Sequence, residues 1–74
     1  MKLIPLDKIN PDDRPFIEQA IEPWLDKKYE KQMMKVAVLL SKSNGFRMDV
    51  MYTFEKNKGE WEVTIHSIGG KPVV

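Results

Sequence analysis

At Lys35 the spacing of apolar residues changes from a helical period to a period of two, and this switch most constrains what the chain can fold into. Beyond it three segments alternate apolar with polar residues: Val36, Val38 and Leu40; then Phe46, Met48, Val50, Tyr52 and Phe54; then Trp61, Val63 and Ile65. Residues two apart on a strand share a face, so each segment reads as a strand with one apolar side. Ser43-Asn44-Gly45 and Lys56-Asn57-Lys58-Gly59 separate the segments, each ending in a glycine that tolerates a left-handed backbone. The pattern predicts two hairpins and hence a three-stranded antiparallel meander.

Ahead of the switch, Asn10-Pro11-Asp12-Asp13-Arg14-Pro15 carries a helix start, because Asn or Asp can accept the free first-turn amides and Pro loses nothing there. A helix is predicted from Asp12 or Asp13, with Phe16, Ile17, Ala20, Ile21 and Trp24 as its core stripe. Pro23 cannot donate to residue 19 and disfavours helical geometry at Glu22, so the helix should kink or restart there. Leu25, Tyr29 and Met33 then make a second stripe at a spacing of four. Packing the helix on the apolar side of the meander gives a two-layer α+β fold. Leu3 and Ile4 leave open an edge strand within residues 2–6, where Pro5 is tolerated only at an edge. Residues 69–74, with Gly69, Gly70 and Pro72, read as a loosely held end.

A length of 74 residues fits one small domain, 1–74, and leaves little room for an enclosed active site. The absence of Cys excludes disulfide staples, thiolate metal sites and thiol nucleophiles. Twelve Lys and Arg against eleven Asp and Glu leave a net charge of +1, which selects neither nucleic acid nor an anionic membrane. The longest apolar run, Val36 to Leu40, is far below the roughly 20 residues of a membrane span. Met1-Lys2-Leu3-Ile4-Pro5 shows no secretory pattern, so the cytoplasm is the expected compartment.

Register follows from the requirement that facing residues share a side. A three-residue loop at 43–45 pairs Lys42 with Phe46, Val38 with Val50 and Val36 with Tyr52, and a four-residue loop at 56–59 pairs Phe54 with Trp61, Tyr52 with Val63 and Val50 with Ile65. Trp24 and Trp61 then meet in a common core. The opposite face carries the rows Leu39-Asp49-His66, Ala37-Met51-Thr64 and Lys35-Thr53-Glu62. One helix covers one side of a sheet, so these nine residues form the expected interaction surface, with Ala37, Leu39, Met51 and Ile68 exposed among charged neighbours.

His66 is the one histidine, and this register sets it beside Asp49, the single acid-base pair of note. With no nucleophile or pocket attached, cross-strand stabilisation is its expected role. One His with scattered carboxylates has no metal-ligand spacing, and Gly69-Gly70 has no following helix to cradle a phosphate, so no cofactor is expected. The segment Ile4 to Ile21, with Asp12-Asp13-Arg14-Pro15-Phe16-Ile17-Glu18, resembles the first strand and helix of the acetyl-coenzyme A-dependent N-acetyltransferases, but over under a third of the chain. That family's pyrophosphate loop has no counterpart here, and no activity or residue role is carried over.

By elimination the sequence points to a non-enzymatic module that binds another protein, or itself as a homodimer, through the open sheet face or an edge strand. A small inhibitor, an immunity-type protein and a subunit all fit. The alternative is nucleic-acid binding by a basic middle segment containing Lys27, Lys28, Lys31, Lys35, Lys42, Arg47, Lys56 and Lys58. Every sheet aromatic is assigned to the core, which leaves none for base stacking.

Overall fold

The computed structural model describes residues 1–40 and 46–73 and has an α+β architecture, with one α-helix on one face of a mixed five-stranded sheet. The strands are β1 (Lys2–Ile4), β2 (Met34–Leu39), β3 (Arg47–Asn57), β4 (Glu60–Ile68) and β5 (Lys71–Pro72), and α1 spans Arg14–Ile21. The three expected strands are present as β2, β3 and β4. They do not stand alone as an antiparallel meander: the order is β1-β4-β3-β2, with β1 parallel to β4 and β5 antiparallel to it. No short turn links β1 to β4, so hairpin logic could not reveal this pairing; Leu3 opposite Val63, both buried, anchors it.

Both hairpin registers differ from expectation by two residues. Val36 faces Val50 and Val38 faces Met48, while Phe54 faces Val63 and Tyr52 faces Ile65. A shift of two leaves every side chain on its original face, so the apolar pattern cannot distinguish the alternatives. In the second hairpin the turn takes only Lys58 and Gly59, both at positive φ (53° and 82°), as a two-residue reversal between right-twisted strands requires. The expected loop at 43–45 lies outside the described residues. Where a loose end is expected, Gly69 and Gly70 (φ 60° and 80°) reverse the chain into β5, and the Val73 amide donates to the His66 carbonyl at 3.1 Å.

The pairing of β3 with β4 shifts between Met51 and Tyr52: Tyr52 faces Ile65 but Met51 faces Ser67, which leaves His66 as an extra residue on β4. The bulge changes the parity of β4. Ile65 and Ile68, three apart, both turn to the core side, so Ile68 packs against the core instead of lying on the open face.

Asn10 prepares the helix start, its side-chain oxygen accepting from the Asp12 amide and its carbonyl from the Asp13 amide, both at 2.9 Å. Ile17 and Ile21 are fully buried over Val38, Val50, Tyr52, Phe54, Val63 and Ile65, and Leu3, Ile9 and Leu40 complete the core. At Pro23 the expected break takes the form of a 3-10 turn, Glu22–Trp24. Its tighter winding swings Trp24 off the stripe to 53% exposure, and Phe16, at the border of the stripe, is also exposed. Trp24 and Trp61 therefore share no core: Trp61 is half-buried, edge-on to Phe54 at 5.4 Å, with the Lys56 ammonium over its ring. Phe46, assigned to the core side, is exposed as well. The second stripe forms only in part: Leu25 and Tyr29 pack against the core while Met33 is exposed, and between them runs a 3-10 turn, Lys27–Tyr29, capped by the Asp26 side chain on the Lys28 amide.

Candidate interaction surface

Odd-numbered residues of β2 and β3 point away from α1, as their exposed or half-buried state shows against buried Val38, Val50, Tyr52 and Phe54. The uncovered face thus carries Lys35, Ala37 and Leu39 from β2, Asp49, Met51 and Thr53 from β3, and Glu62 and Thr64 from β4. His66 reaches it from the bulge, and Lys2 and Ile4 extend it along β1.

All nine expected surface residues share this face, but their rows are new. Leu39 pairs with Arg47, Ala37 with Asp49, Lys35 with Met51, Met51 with Ser67 and Thr53 with Thr64. The expected Asp49–His66 neighbourhood is replaced by a contact between His66 Nε2 and Thr53 Oγ1 at 2.9 Å. The two-residue shift moves Asp49 along the ladder, and the bulge sends the imidazole toward Thr53 instead.

At the far end of the face Glu55 lies opposite Glu62, a like-charge pairing that destabilises a sheet unless compensated. Lys31 Nζ approaches Glu55 at 3.8 Å, Lys2 Nζ approaches Glu62 at 4.0 Å, and Asn57 Nδ2 donates to Glu62 Oε1 at 3.2 Å. Each carboxylate therefore has its own cationic neighbour. A shallow hollow lies here, lined by Lys31, Thr53, Phe54, Glu55, Glu62 and Thr64. Among the described residues, no three His, Asp or Glu side chains converge as metal ligands would. The Tyr52 phenol, whose pKa is raised by burial, belongs to the opposite, helix-covered side of the sheet.

Strand β2 adds a feature that side-chain periodicity does not disclose, a free hydrogen-bonding edge. The Phe54 carbonyl accepts from the Lys31 amide at 2.7 Å, toward the β2 side, and the Asp49 carbonyl accepts from the Gly69 amide at 2.8 Å, toward the β4 side. Backbone groups alternate sides along a strand, so even-numbered β3 residues bond β2, and their partners Met34, Val36 and Val38 use their amides and carbonyls inward. Lys35, Ala37 and Leu39 consequently present theirs outward, where no strand pairs them among the described residues. Phe16, Gln19 and Ala20 of α1 line a groove with Ala37, Val38, Leu39 and Arg47 along this edge. Exposed Met33 lies just before it.

Among the described residues no helix is long and apolar enough to cross a membrane. Comparison of the chain with models of protein families, with curated proteins and with solved structures finds no match in any of the three.

Proposed function

We propose that this chain is a non-enzymatic protein-binding module that engages another protein, or a second copy of itself, through the open sheet face or edge strand β2. Either a small inhibitor, an immunity-type protein or a subunit would work in this way. The observation that carries the reading is the coincidence, on one side of the molecule, of an uncovered face containing Ala37, Leu39 and Met51 with a strand edge, that of β2, left unpaired among the described residues. Exposed apolar side chains rimmed by charge supply area, and a free edge supplies directional backbone bonds. His66 contributes to this face through its contact with the Thr53 hydroxyl.

The test places a photoreactive residue at Ala37, at Met51 and, as a control on the far side, at Asp12, followed by irradiation in lysate. Protein adducts at 37 or 51 and none at 12 support the reading. Equal labelling at all three positions defeats it. Tight binding of the parent to random oligonucleotides with a steep salt dependence would establish the nucleic-acid alternative through Lys27, Lys28, Lys31 and Lys35.

A further inference from the structure

Edge strand β2 is self-complementary in one antiparallel register, and we infer that two copies of this chain join there through a twofold axis at Val36, forming one continuous sheet. The inference rests on the protein-binding reading above and names its partner.

Outward backbone groups must meet outward backbone groups, so Lys35, Ala37 and Leu39 can face only odd-numbered partners across the axis. Centring on Val36 places Lys35 opposite Ala37 of the second copy, and Leu39 opposite Met33. Two consequences distinguish this register. Ala37 carries only a methyl group, so the Lys35 side chain can cross it toward Asp49 on the next strand of the second copy, two strand spacings or about 9.6 Å away. Neither Lys35 nor Asp49 has an ion pair in its own chain at 4 Å or less among the described residues, and the twofold axis makes the interaction twice. Leu39 and Met33, 43% and 54% exposed, also cover one another.

Neighbouring registers lack this fit. Centring on Ala37 sets Lys35 against Leu39 with Arg47 of the second copy next in the row, a like-charge approach. On the helix side, Val36 meets its own copy, and the groove walls formed by Phe16 and Ala20 face each other across the axis. Apolar surface thus closes over the new backbone bonds from both faces.

Sedimentation at high micromolar concentration tests the inference with variants that keep each chain's own sheet. Ala37→Pro removes an amide that the monomer does not use, so it should yield a folded monomer with unchanged far-ultraviolet circular dichroism. Lys35→Glu alone, or Asp49→Lys alone, sets like charges across the axis and should weaken dimerisation about tenfold. Mixing these two variants restores opposite charges in a heterodimer, which should form with close to the parent's affinity. This rescue is a readout that a merely structural defect in either variant cannot produce. A parent that is monomeric throughout overturns the inference while leaving the crosslinking reading intact. A dimer indifferent to Ala37→Pro but dissociated by Met51→Lys also overturns it, moving self-association to the open face. Loss of all crosslinks at 37 and 51 defeats the wider reading instead.

Discussion

Thr53 and His66 meet across the open face, Oγ1 to Nε2 at 2.9 Å, because the β4 bulge carries the imidazole past its regular ladder position. The contact is half-buried, so its loss is only partly repaid by water. Thr53→Val should lower the unfolding free energy by about 0.5 to 1.5 kcal/mol, read as a shift in urea midpoint at constant slope. An unchanged midpoint would show that the hydrogen bond adds no net stability.

The two tryptophans should respond very differently to truncation. Trp61 packs edge-on against buried Phe54 and lies under the Lys56 ammonium, so Trp61→Ala should cost about 3 kcal/mol, a large fraction of the stability of so small a domain. Trp24, more than half exposed after the 3-10 turn, should tolerate the same change within about 0.5 kcal/mol. Thermal melts of both variants check this, and equal losses would contradict the placement of Trp24.

Gly69 holds φ 60° in the turn to β5, and a Cβ there would stand 3.1 Å from Met48 Sδ. The sulfur can move aside, but the backbone conformation remains strained for any other residue. Gly69→Ala should destabilise by about 1 kcal/mol and speed hydrogen exchange at the Val73 amide, which bonds the His66 carbonyl. Exchange at the parent's rate would mean that β5 docks independently of this turn.

Burial raises the Tyr52 phenol above its ordinary value of 10.0. The folded chain then keeps the proton at a pH where the unfolded chain releases it, so this contribution is fully present below pH 10 and falls as pH rises beyond it. Tyr52→Phe should flatten that alkaline limb in a series of thermal melts. Parallel limbs for parent and variant would assign the alkaline loss to other groups.

Under the nucleic-acid alternative, replacing Lys28, Lys31 and Lys35 by Glu should sharply weaken oligonucleotide binding and reduce its salt slope. Under the protein-binding proposal the parent itself shows no salt-steep oligonucleotide binding, which a filter or fluorescence titration at two salt concentrations decides.

The faces of the sheet were legible because period-two patterning is a property of side chains: Val38, Val50, Tyr52, Phe54, Val63 and Ile65 all lie on the side the sequence assigns them. The register was not, because it depends on turn conformation, and Lys58 at positive φ is a choice that residue type does not announce. Ile65 and Ile68, three apart with His66 between them, mark the bulge in the sequence, but strict alternation assigns Ile68 to the open side. Neither the parallel pairing of Leu3 with Val63 nor the burial of Ile9 leaves a local trace, since both arise from contacts far apart in sequence. Membership of the open face was readable on β2, on β3 and on β4 up to the bulge but not at Ile68 beyond it, whereas the outward amides of β2 follow from hydrogen-bond parity that only the folded pairing fixes.

Strands β1 and β5 both line the outer side of β4, since Ser67 and Ile68 already pair with β3 on the inner side. That edge is split into two short pieces, one followed by Pro5 and the other containing Pro72, and offers a poor template for another strand. The molecule therefore has one sticky margin and one blunt one. Under the proposed pairing, addition of a second copy at β2 would use up the sticky margin and leave blunt ends outside, so sheet growth would stop after one step instead of propagating into a fibre.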